Sequence, residues 1–455
     1  MRVSVTTSTA SSPRAFLDGG VTRVEPDGVQ ADDESPTWRL GTRIAFRFCV
    51  VYFGLFCLTF AQITFAFAGV LAGLLPDGAV IWQQVALQPL TGWFGRTVLG
   101  VDAVLTPGSG SGDQAAIWVY VACLLTVAVL VTVAWSVLDR RRGQYPRLAA
   151  WFTVFLRLCL GGQMLFYGFA KLIPTQMPSP PLAALIEPFG NLSPMAVLWL
   201  QVGTSHPYEM ALGAVEVLAG ALLFVPKTAT LGALVSLAGT GQIFLLNMTY
   251  DVPVKILSFH LVLISTLLLA PNARRLVDGV VLGRGVGPER RPALFDSPRR
   301  NRLAAVGQAL LGVWVLIGCV ALSLQTWRQY GDGRAKPDLY GIWHVAEFSV
   351  DGTPRPPLLT DDIRWQRVVF DRPGVITYQL MNGDLVDVAA DTTGGTLAVP
   401  EGDGSFTVHR AGDDLRLVGR WKDQPTTVVL ERRPPEDFTL RNRGFHWVQE
   451  APFFG

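Results

Sequence analysis

Charged residues are scarce in this sequence, and their scarcity excludes an ordinary soluble protein. Only 16% of the 455 residues are charged, whereas 50% are hydrophobic and the mean hydropathy is +0.34. A soluble domain typically contains about 25% charged residues. The formal net charge of +2 also provides no basic excess for binding nucleic acid. The composition therefore indicates a membrane protein whose main partner is the lipid bilayer, with no nucleic-acid partner.

Cysteine and histidine are also few, and their spacing argues against several kinds of redox and metal site. The five cysteines form no CxxC pair, and all five lie in apolar segments. A disulfide relay is therefore not expected. The five histidines are scattered without an HxxxH or HExxH spacing, and the chain has no CxxCH haem motif or Walker loop. We expect no metal site and no covalently bound cofactor.

Long apolar runs dominate the chain up to residue 325. A helix needs about 20 mostly apolar residues to cross a bilayer. Seven runs approach or exceed this length: 44–75, 115–138, 150–173, 206–225, 228–248, 254–270 and 302–325. Glu209 and Glu216 interrupt the fourth run, which is otherwise apolar. The sequence therefore predicts a mainly α-helical membrane bundle of about seven transmembrane helices.

Arginine and lysine in the connecting segments predict the orientation. Short cytoplasmic loops carry an excess of these residues. Basic residues cluster before the first run, in the loop 139–147 and in the loop 272–302, whereas the loop 76–114 contains only Arg96. We therefore expect a multi-pass protein of the cytoplasmic membrane with a cytoplasmic N-terminus and an extracytoplasmic C-terminal domain.

Composition divides the chain into five parts. Residues 1–40 are rich in Ser, Thr, Asp and Gly and contain no apolar run, which is typical of a disordered cytoplasmic tail rather than a signal peptide. The other parts are two N-terminal transmembrane helices with an extracytoplasmic loop (41–149), a four-helix membrane unit (150–276), a basic cytoplasmic loop with the last transmembrane helix (277–335), and an extracytoplasmic β domain (336–455).

The segment 336–455 contains short runs that alternate with a period of two. Such runs, separated by Gly, Asp and Pro, predict seven or eight antiparallel strands in a small barrel or sandwich. The "GIW" at 341–343 and the later Arg432 and Arg433 are similar to the GxW and closing Arg of lipocalin-like barrels. A buried core residue is the alternative interpretation of Trp343. The aromatic end of the chain is expected either to seal the barrel or to rest on the membrane interface.

Four charged residues lie in two neighbouring apolar runs. In the third run, Arg157 and Lys171 share one helical stripe with two glycines, since the four positions are spaced 4, 7 and 3 residues apart. In the fourth run, Glu209 and Glu216 are seven residues apart and also share a face. A charge in the membrane costs about 2.5–3.5 kcal/mol on insertion scales. We therefore predict that the two cations pair with the two carboxylates, while the glycines let the helices approach closely.

The stretch "YDVPVKILSFHL" places Asp251, Lys255 and His260 at the start of the sixth run. One interpretation is structural: Asp251 caps the helix, Lys255 extends towards the headgroups, and His260 is a core histidine. The other is functional, because Lys171, Glu209 and these residues are all expected near the outer leaflet. Such a cluster is suited to binding a quinone headgroup or an anion and to passing protons through His260, which titrates near neutral pH.

A proline-rich loop, "PTQMPSPPLAALIEPFGNLSP", follows the third run. It contains six prolines and no basic residue, and its "LAALIEPF" portion is expected to form a short helix on the outer face. Two interpretations remain open. The loop is either a lid over an outward-facing polar site or a connector stiffened by proline.

The pattern of charges and glycines in residues 150–276 resembles the DoxX family of small membrane proteins. The resemblance rests on "RLCLGGQMLFYGFAKL", "EMALGAVEVLAGALLF" and "YDVPVKILSFHLVLISTLLLA". It implies a four-helix unit with a quinone-linked or sulfur-redox membrane function, as in the thiosulfate:quinone oxidoreductase relatives. Compared with the short family members, this chain has two additional spans before the unit, one after it, and the β domain.

Two functions follow as hypotheses. In the first, the protein is a quinone-associated redox or sulfur-oxidation-type membrane subunit that works with other envelope or redox proteins. Its candidate residues for binding a membrane quinone are Arg157, Lys171, Glu209, Glu216, Asp251, Lys255 and His260. In the second, the protein is a noncatalytic envelope assembly or ligand-binding protein whose helices anchor an exported lipocalin-like domain. The sequence identifies no catalytic residue.

Overall fold

The structure, a computed structural model, describes residues 38–287, 293–392, 394–400 and 404–454. The predicted tail 1–40 therefore lies outside the described residues except for its last three. The described helices are α1 (Leu40–Thr59), α2 (Ala61–Phe65), α3 (Trp82–Phe94), α4 (Ala115–Leu138), α5 (Pro146–Leu172), α6 (Pro194–Gly203), α7 (His206–Phe224), α8 (Ala229–Thr249), α9 (Lys255–Leu269), α10 (Ala273–Leu276), α11 (Pro298–Gln329) and α12 (Thr439–Asn442). Seven of them, α1, α4, α5, α7, α8, α9 and α11, are long and apolar enough to cross a membrane. The predicted bundle of about seven apolar helices is confirmed, and these helices fit a multi-pass membrane protein.

The bundle has two distinct ends, because consecutive long helices run in opposite directions. One end, called the basic end, contains the loop 139–147 and the start of α11. There the buried guanidinium of Arg47 donates hydrogen bonds of 2.6 and 3.0 Å to the hydroxyl of Tyr145, and Arg147 pairs with Asp296 at 2.8 Å. The β domain lies at the opposite end, called the domain end.

The first apolar run, predicted over 44–75, is not one continuous helix. α1 ends at Thr59, α2 follows, and Ala66–Leu74 is a 3-10 helix in which Gly69 has a positive φ of 59°. A Cβ atom at Gly318 of α11 would lie 2.2 Å from the carbonyl carbon of Gly69, so this contact requires glycine on both sides. The break allows the second half of the run to pack against α5 and α11.

Helices α5 and α7 pack closely along a line of glycines, as the sequence predicts. A Cβ atom at Gly213 of α7 would lie 2.4 Å from the backbone nitrogen of Leu172 and 2.6 Å from the carbonyl oxygen of Gly168. A Cβ atom at Gly220 would lie 3.0 Å from the carbonyl oxygen of Gly161. The line of glycines therefore sets the distance between the two helices that carry the candidate charges.

The C-terminal part forms a nine-stranded antiparallel sheet that curls into a nearly closed barrel, which confirms the predicted β domain. The strands are β1 (Gly341–Val350), β2 (Thr353–Pro354), β3 (Trp365–Arg372), β4 (Val375–Leu380), β5 (Leu385–Ala389), β6 (Thr396–Val399), β7 (Gly404–Ala411), β8 (Asp414–Trp421) and β9 (Gln424–Arg433). Their order in the sheet is β5-β4-β3-β1-β9-β8-β7-β6, with the short β2 paired to β1. In this register Trp343 lies opposite Arg432, the two positions that resemble the lipocalin-like motif.

Aromatic side chains fill the interior of the barrel. Trp365, Trp421, Phe348 and Phe406 are buried in one cluster, and the ring centroids of the two tryptophans lie 4.7 Å apart. Trp343 belongs to the same cluster, so it is a core residue as well as a match to the motif. The interior is therefore a packed hydrophobic core.

The proline-rich loop between α5 and α6 holds the β domain against the bundle. Its Leu182–Leu185 segment is a 3-10 helix at the position of the predicted short helix. Leu182 is buried against Ile342 of β1 and Val369 of β3, and its backbone N–H donates to a carboxylate oxygen of Asp371 at 3.3 Å. The loop therefore acts as a connector that fixes the position of the domain.

Replacing Gly213 by alanine is expected to destabilise the protein by about 1–3 kcal/mol, because the added methyl group overlaps the backbone of α5. Gly241→Ala on α8 is the matched control, since nothing lies within 4 Å of its Cβ position and alanine favours a helix interior. Thermal unfolding of the two purified variants measures the difference. Equal unfolding temperatures would contradict the close packing of α5 and α7.

Candidate functional site

A buried ion pair joins α5 to α7 near the domain end of the bundle. The ammonium nitrogen of Lys171 lies 2.8 Å from Oε1 and 2.9 Å from Oε2 of Glu216, and each side chain is only 6% exposed. The sequence predicts cation–carboxylate pairs between these helices, and one such pair forms, with Glu216 bound to Lys171 rather than to Arg157. A single buried charge has a high free-energy cost inside a membrane, and pairing with the opposite charge lowers that cost for both groups.

Polar side chains extend from this ion pair into the bundle. The ammonium of Lys171 lies 5.7 Å from the ring centroid of Tyr167, whose hydroxyl accepts a hydrogen bond from the side-chain amide of Gln62. The backbone carbonyl of Gln62 accepts a hydrogen bond of 2.9 Å from Gln163. These four residues and Glu216 are called the buried polar network. Gln62 reaches it because the chain breaks after α1 and α2 turns towards α5.

Three members of this network, Gln62, Gln163 and Tyr167, are not among the predicted site residues. Each lies inside an apolar run and carries no formal charge. A glutamine within an apolar run could have identified a candidate site residue, because a buried side-chain amide needs hydrogen-bond partners.

Glu209 lies two turns from Glu216 along α7 and is fully buried. Its Oε1 atom accepts a hydrogen bond of 3.0 Å from the backbone N–H of Met177. Its Oε2 atom has no hydrogen-bond partner within the described residues. Contrary to the prediction, Glu209 is bonded to a loop amide rather than to a cation, although the charges of Lys171 and Asp332 both act on it.

Arg157 lies apart from the buried polar network and, contrary to the prediction, forms no salt bridge with Glu209 or Glu216. It precedes Lys171 by 14 residues, which corresponds to about 21 Å along α5. Its guanidinium donates to the side chain of Gln308 on α11. Two residues on one face of a helix can lie at very different depths, so a shared face does not bring both cations to the same carboxylates.

A Ser–His–Asp cluster lies at the surface of the domain end. Nε2 of His206 is 2.8 Å from Oδ2 of Asp332 and 2.9 Å from Oγ of Ser179, which donates to Asp332 at 2.9 Å. One ring nitrogen contacts both partners, whereas a catalytic triad uses one nitrogen for the serine and the other for the carboxylate. The cluster is therefore not arranged for nucleophilic catalysis. Its residues come from a loop, a helix start and the segment after α11, which no sequence spacing reveals.

Asp251 and Lys255 form a pair at the surface. Nζ of Lys255 lies 2.9 Å from Oδ1 of Asp251, whose side chain is 85% exposed. The structural interpretation of Asp251 as the cap of this helix is not what the structure shows. Asp113, from the loop before α4, accepts hydrogen bonds of 2.8 and 2.9 Å from the backbone N–H groups of Lys255 and Ile256. A distant loop therefore caps the N-terminus of α9.

His260 lies in the hydrophobic core and is only 4% exposed. Its Nδ1 is 2.7 Å from the carbonyl oxygen of Ile256, and its Nε2 is 2.7 Å from the hydroxyl of Tyr52. Because a carbonyl only accepts, Nδ1 carries the proton and Nε2 accepts from Tyr52. The ring also stacks on Phe56 with centroids 3.9 Å apart. Both ring nitrogens are therefore satisfied, which favours the structural interpretation of His260.

A cleft of about 610 Å³ lies in the broken segment that follows Gln62, and residues between 64 and 82 form its walls. Most of these side chains are apolar, and they include Phe65, Phe67 and Trp82. The ring of Phe65 is 6.3 Å from that of Phe166, the residue that precedes Tyr167. The cleft, called the apolar cleft, is lined by no member of the buried polar network, and its wall begins two residues after Gln62.

Sequence comparison finds one relative that covers a limited part of this chain. Over 130 residues, 27% of the chain, the sequence is 31% identical to the Uncharacterized protein YwoB of Bacillus subtilis (strain 168), and the match spans 77% of that protein. No family model matches the chain. No solved structure matches it.

Removing one partner of the Lys171–Glu216 pair is expected to destabilise the protein by about 3–5 kcal/mol, because the other charge stays buried. Lys171→Met and Glu216→Gln should each lower the unfolding temperature, and the double variant should lose less than the sum of the two losses. The exposed Arg96–Asp102 pair, at 3.2 Å, is the control and should contribute less than about 1 kcal/mol. Additive losses for Lys171 and Glu216 would show that they do not act as a pair.

Proposed function

Because the chain belongs to the family of the Bacillus subtilis protein YwoB, whose name gives no activity, we propose a function from the geometry of the bundle: a quinone-associated redox membrane subunit. In this proposal the headgroup of a membrane quinone binds in the apolar cleft, beside the buried polar network. The observation that carries the proposal is an apolar, aromatic cleft whose wall begins two residues after Gln62, a member of the buried polar network. The resemblance of residues 150–276 to the DoxX family, with its quinone-linked relatives, supports the same class of ligand.

The chemistry of the cleft fits a quinone headgroup, which combines a flat apolar ring with carbonyl oxygens that accept hydrogen bonds. Phe65, Phe67 and Trp82 offer aromatic surface for the ring, and the cleft volume lies within the range of about 300–1,000 Å³ that is common for small-molecule sites. Tyr167 and Gln62 offer a hydroxyl and an amide as donors. Irregular backbone at membrane depth is tolerated where it lines a cavity, which agrees with the 3-10 segment in this wall.

Two carboxylates of α7 are the proton-holding groups of this proposal. Quinone chemistry exchanges protons as well as electrons, so a titratable group is needed close to the headgroup. Glu216 is held by Lys171, while Glu209 keeps one oxygen without a hydrogen-bond partner in the described part of the chain. Glu209 in turn interacts electrostatically with Asp332 nearer the surface. In this proposal these residues hold protons, and a partner redox protein of the envelope supplies the electrons.

The proposal places the domain end of the bundle outside the cytoplasm. Arginines cluster at the basic end, before α1, in the loop 139–147 and before α11. Such residues are retained in the cytoplasm when a membrane protein inserts. The N-terminus is then cytoplasmic and the β domain extracytoplasmic, and the buried polar network lies towards the outer leaflet.

Reporter fusions test this orientation. Alkaline phosphatase fused after residue 455 should be active, because its disulfides form outside the cytoplasm. The same enzyme fused after Leu138, at the basic end, is the control and should be inactive. A fluorescent reporter that folds in the cytoplasm should give the opposite pattern. An inactive phosphatase and a bright fluorescent reporter after residue 455 would contradict the proposed orientation.

The quinone content of the full-length protein, purified into lipid nanodiscs, tests the proposed ligand. Tyr167→Phe and Gln62→Leu should each lower the extracted quinone per folded molecule about fivefold, the effect of losing one hydrogen bond of about 1 kcal/mol. Tyr52→Phe is the control, since it removes a buried hydroxyl that bonds to His260 and not to the cleft. Mass spectrometry of extracts and thermal unfolding are measured on the same preparations. A wild-type protein that carries phospholipid but no quinone would reject this function.

A noncatalytic role in envelope assembly is the second candidate, and the aromatic end of the chain favours it. Trp447 is 91% exposed and Phe454 is 99% exposed, and Phe445 and Phe453 are also exposed. Exposed aromatic side chains in one segment suit contact with another protein or with the membrane interface. Because aromatic residues fill the barrel interior, such a role depends on the surface of the β domain rather than on a ligand inside it.

A further inference from the structure

A second cavity lies where α11 leaves the bundle and meets the edge of the β domain. Its volume is about 680 Å³, and residues 328–335, residues 372–375 and the edge strand β5 contribute to its walls. The lining includes three arginines, Arg328, Arg334 and Arg372, and one carboxylate, Asp387. Three positive charges and one negative charge give this lining a net charge of +2. We call this cavity the arginine cleft.

The described residues around the arginine cleft leave part of this positive charge uncompensated. Arg334 pairs with Asp371 at 2.8 Å, so its charge is compensated and the free positive charge comes from the other two arginines. Arg328 and Arg372 have exposed side chains and form no salt bridge with any described residue. Guanidinium donors are therefore available to an anion that enters the cleft.

The arginine cleft lies at the level expected for lipid headgroups. α11 has 32 residues and is about 48 Å long, whereas the apolar core of a bilayer is about 30 Å thick. Its last turn therefore emerges from the apolar core. Ile317 and Leu324 are exposed apolar residues on this helix, and Tyr330 at its end is 72% exposed, in a position typical of an aromatic residue at the interface.

We propose that the arginine cleft binds a phosphate-bearing ligand. Guanidinium groups match phosphate oxygens through paired N–H donors, and several arginines can share one phosphate. The cavity is larger than a phosphate ion, and Tyr330, Val375 and Val388 add apolar surface to its walls. It therefore has room for the group that carries the phosphate, either the headgroup of an anionic lipid or the body of a soluble phosphate ester. This proposal does not depend on the quinone site, which lies inside the bundle.

Ligand binding to the full-length protein tests the arginine cleft. Arg328→Gln combined with Arg372→Gln removes two charges from the cleft and leaves Arg334 in place. Arg416→Gln combined with Arg420→Gln, on exposed positions of β8, removes the same charge elsewhere and is the matched control. The probes are phosphatidylglycerol, phosphatidylcholine and glycerol phosphate. Native mass spectrometry measures occupancy at increasing probe concentration, and thermal unfolding confirms that all variants are folded. Arg372→Gln alone repeats the test with a smaller change.

The cleft variant should bind an anionic probe at least tenfold more weakly than the wild type, and the control variant should bind like the wild type. Preference for phosphatidylglycerol over phosphatidylcholine identifies a lipid headgroup as the ligand. Binding of glycerol phosphate with the same dependence on the two arginines identifies a soluble phosphate ester. An equal loss in both double variants, or no binding of either anionic probe by the folded wild type, would overturn the proposal.

Discussion

The ion pair between Lys171 and Glu216 is the interaction on which the arrangement of the bundle depends. Each charge alone would cost about 2.5–3.5 kcal/mol in a membrane. Helices α5 and α7 are therefore most stable in the relative position that brings the two charged groups into contact. Facing glycines permit this approach because they have no side chains. Once α7 is fixed, Glu209 holds the backbone of Met177, and the loop that follows holds the β domain. The position of the domain therefore follows from a contact inside the membrane.

Features that depend on short stretches of sequence could be predicted. The length of the apolar runs predicts seven helices, and alternation with a period of two predicts the β domain. The spacing of Glu209 and Glu216 matches the glycines on the same helix, so it predicts both a buried acidic face and close packing. A cation–carboxylate pair between these helices was predictable because such charges have few alternatives in lipid, but the choice of Glu216 as the partner of Lys171 was not. These inferences required only helical geometry and the cost of burying charge.

Features that depend on residues far apart in the chain could not be predicted. Asp113 bonds to the start of α9 across 142 positions, and Arg157 reaches Gln308 across 151 positions. No local pattern selects such partners. The break after α1 contains no proline, and Gly69, which permits it, resembles other glycines in apolar runs. For that reason the sequence gives little indication that Gln62 turns towards α5 and joins the buried polar network.

The interior of the barrel is packed, so the outer surface of the β domain, including the part that faces the bundle, is what is available for binding. Trp365 and Trp421 fill space that a ligand-binding barrel leaves open. A ligand of this domain therefore meets its outer surface, and concave surface with uncompensated charge is found where the domain approaches α11. One wall of that cavity belongs to the end of α11 and the linker after it, and the other to residues 372–375 and β5. The Arg334–Asp371 pair and the contacts of Leu182 both hold these two parts together. The contacts that anchor the domain therefore also position the two walls of a cationic cavity.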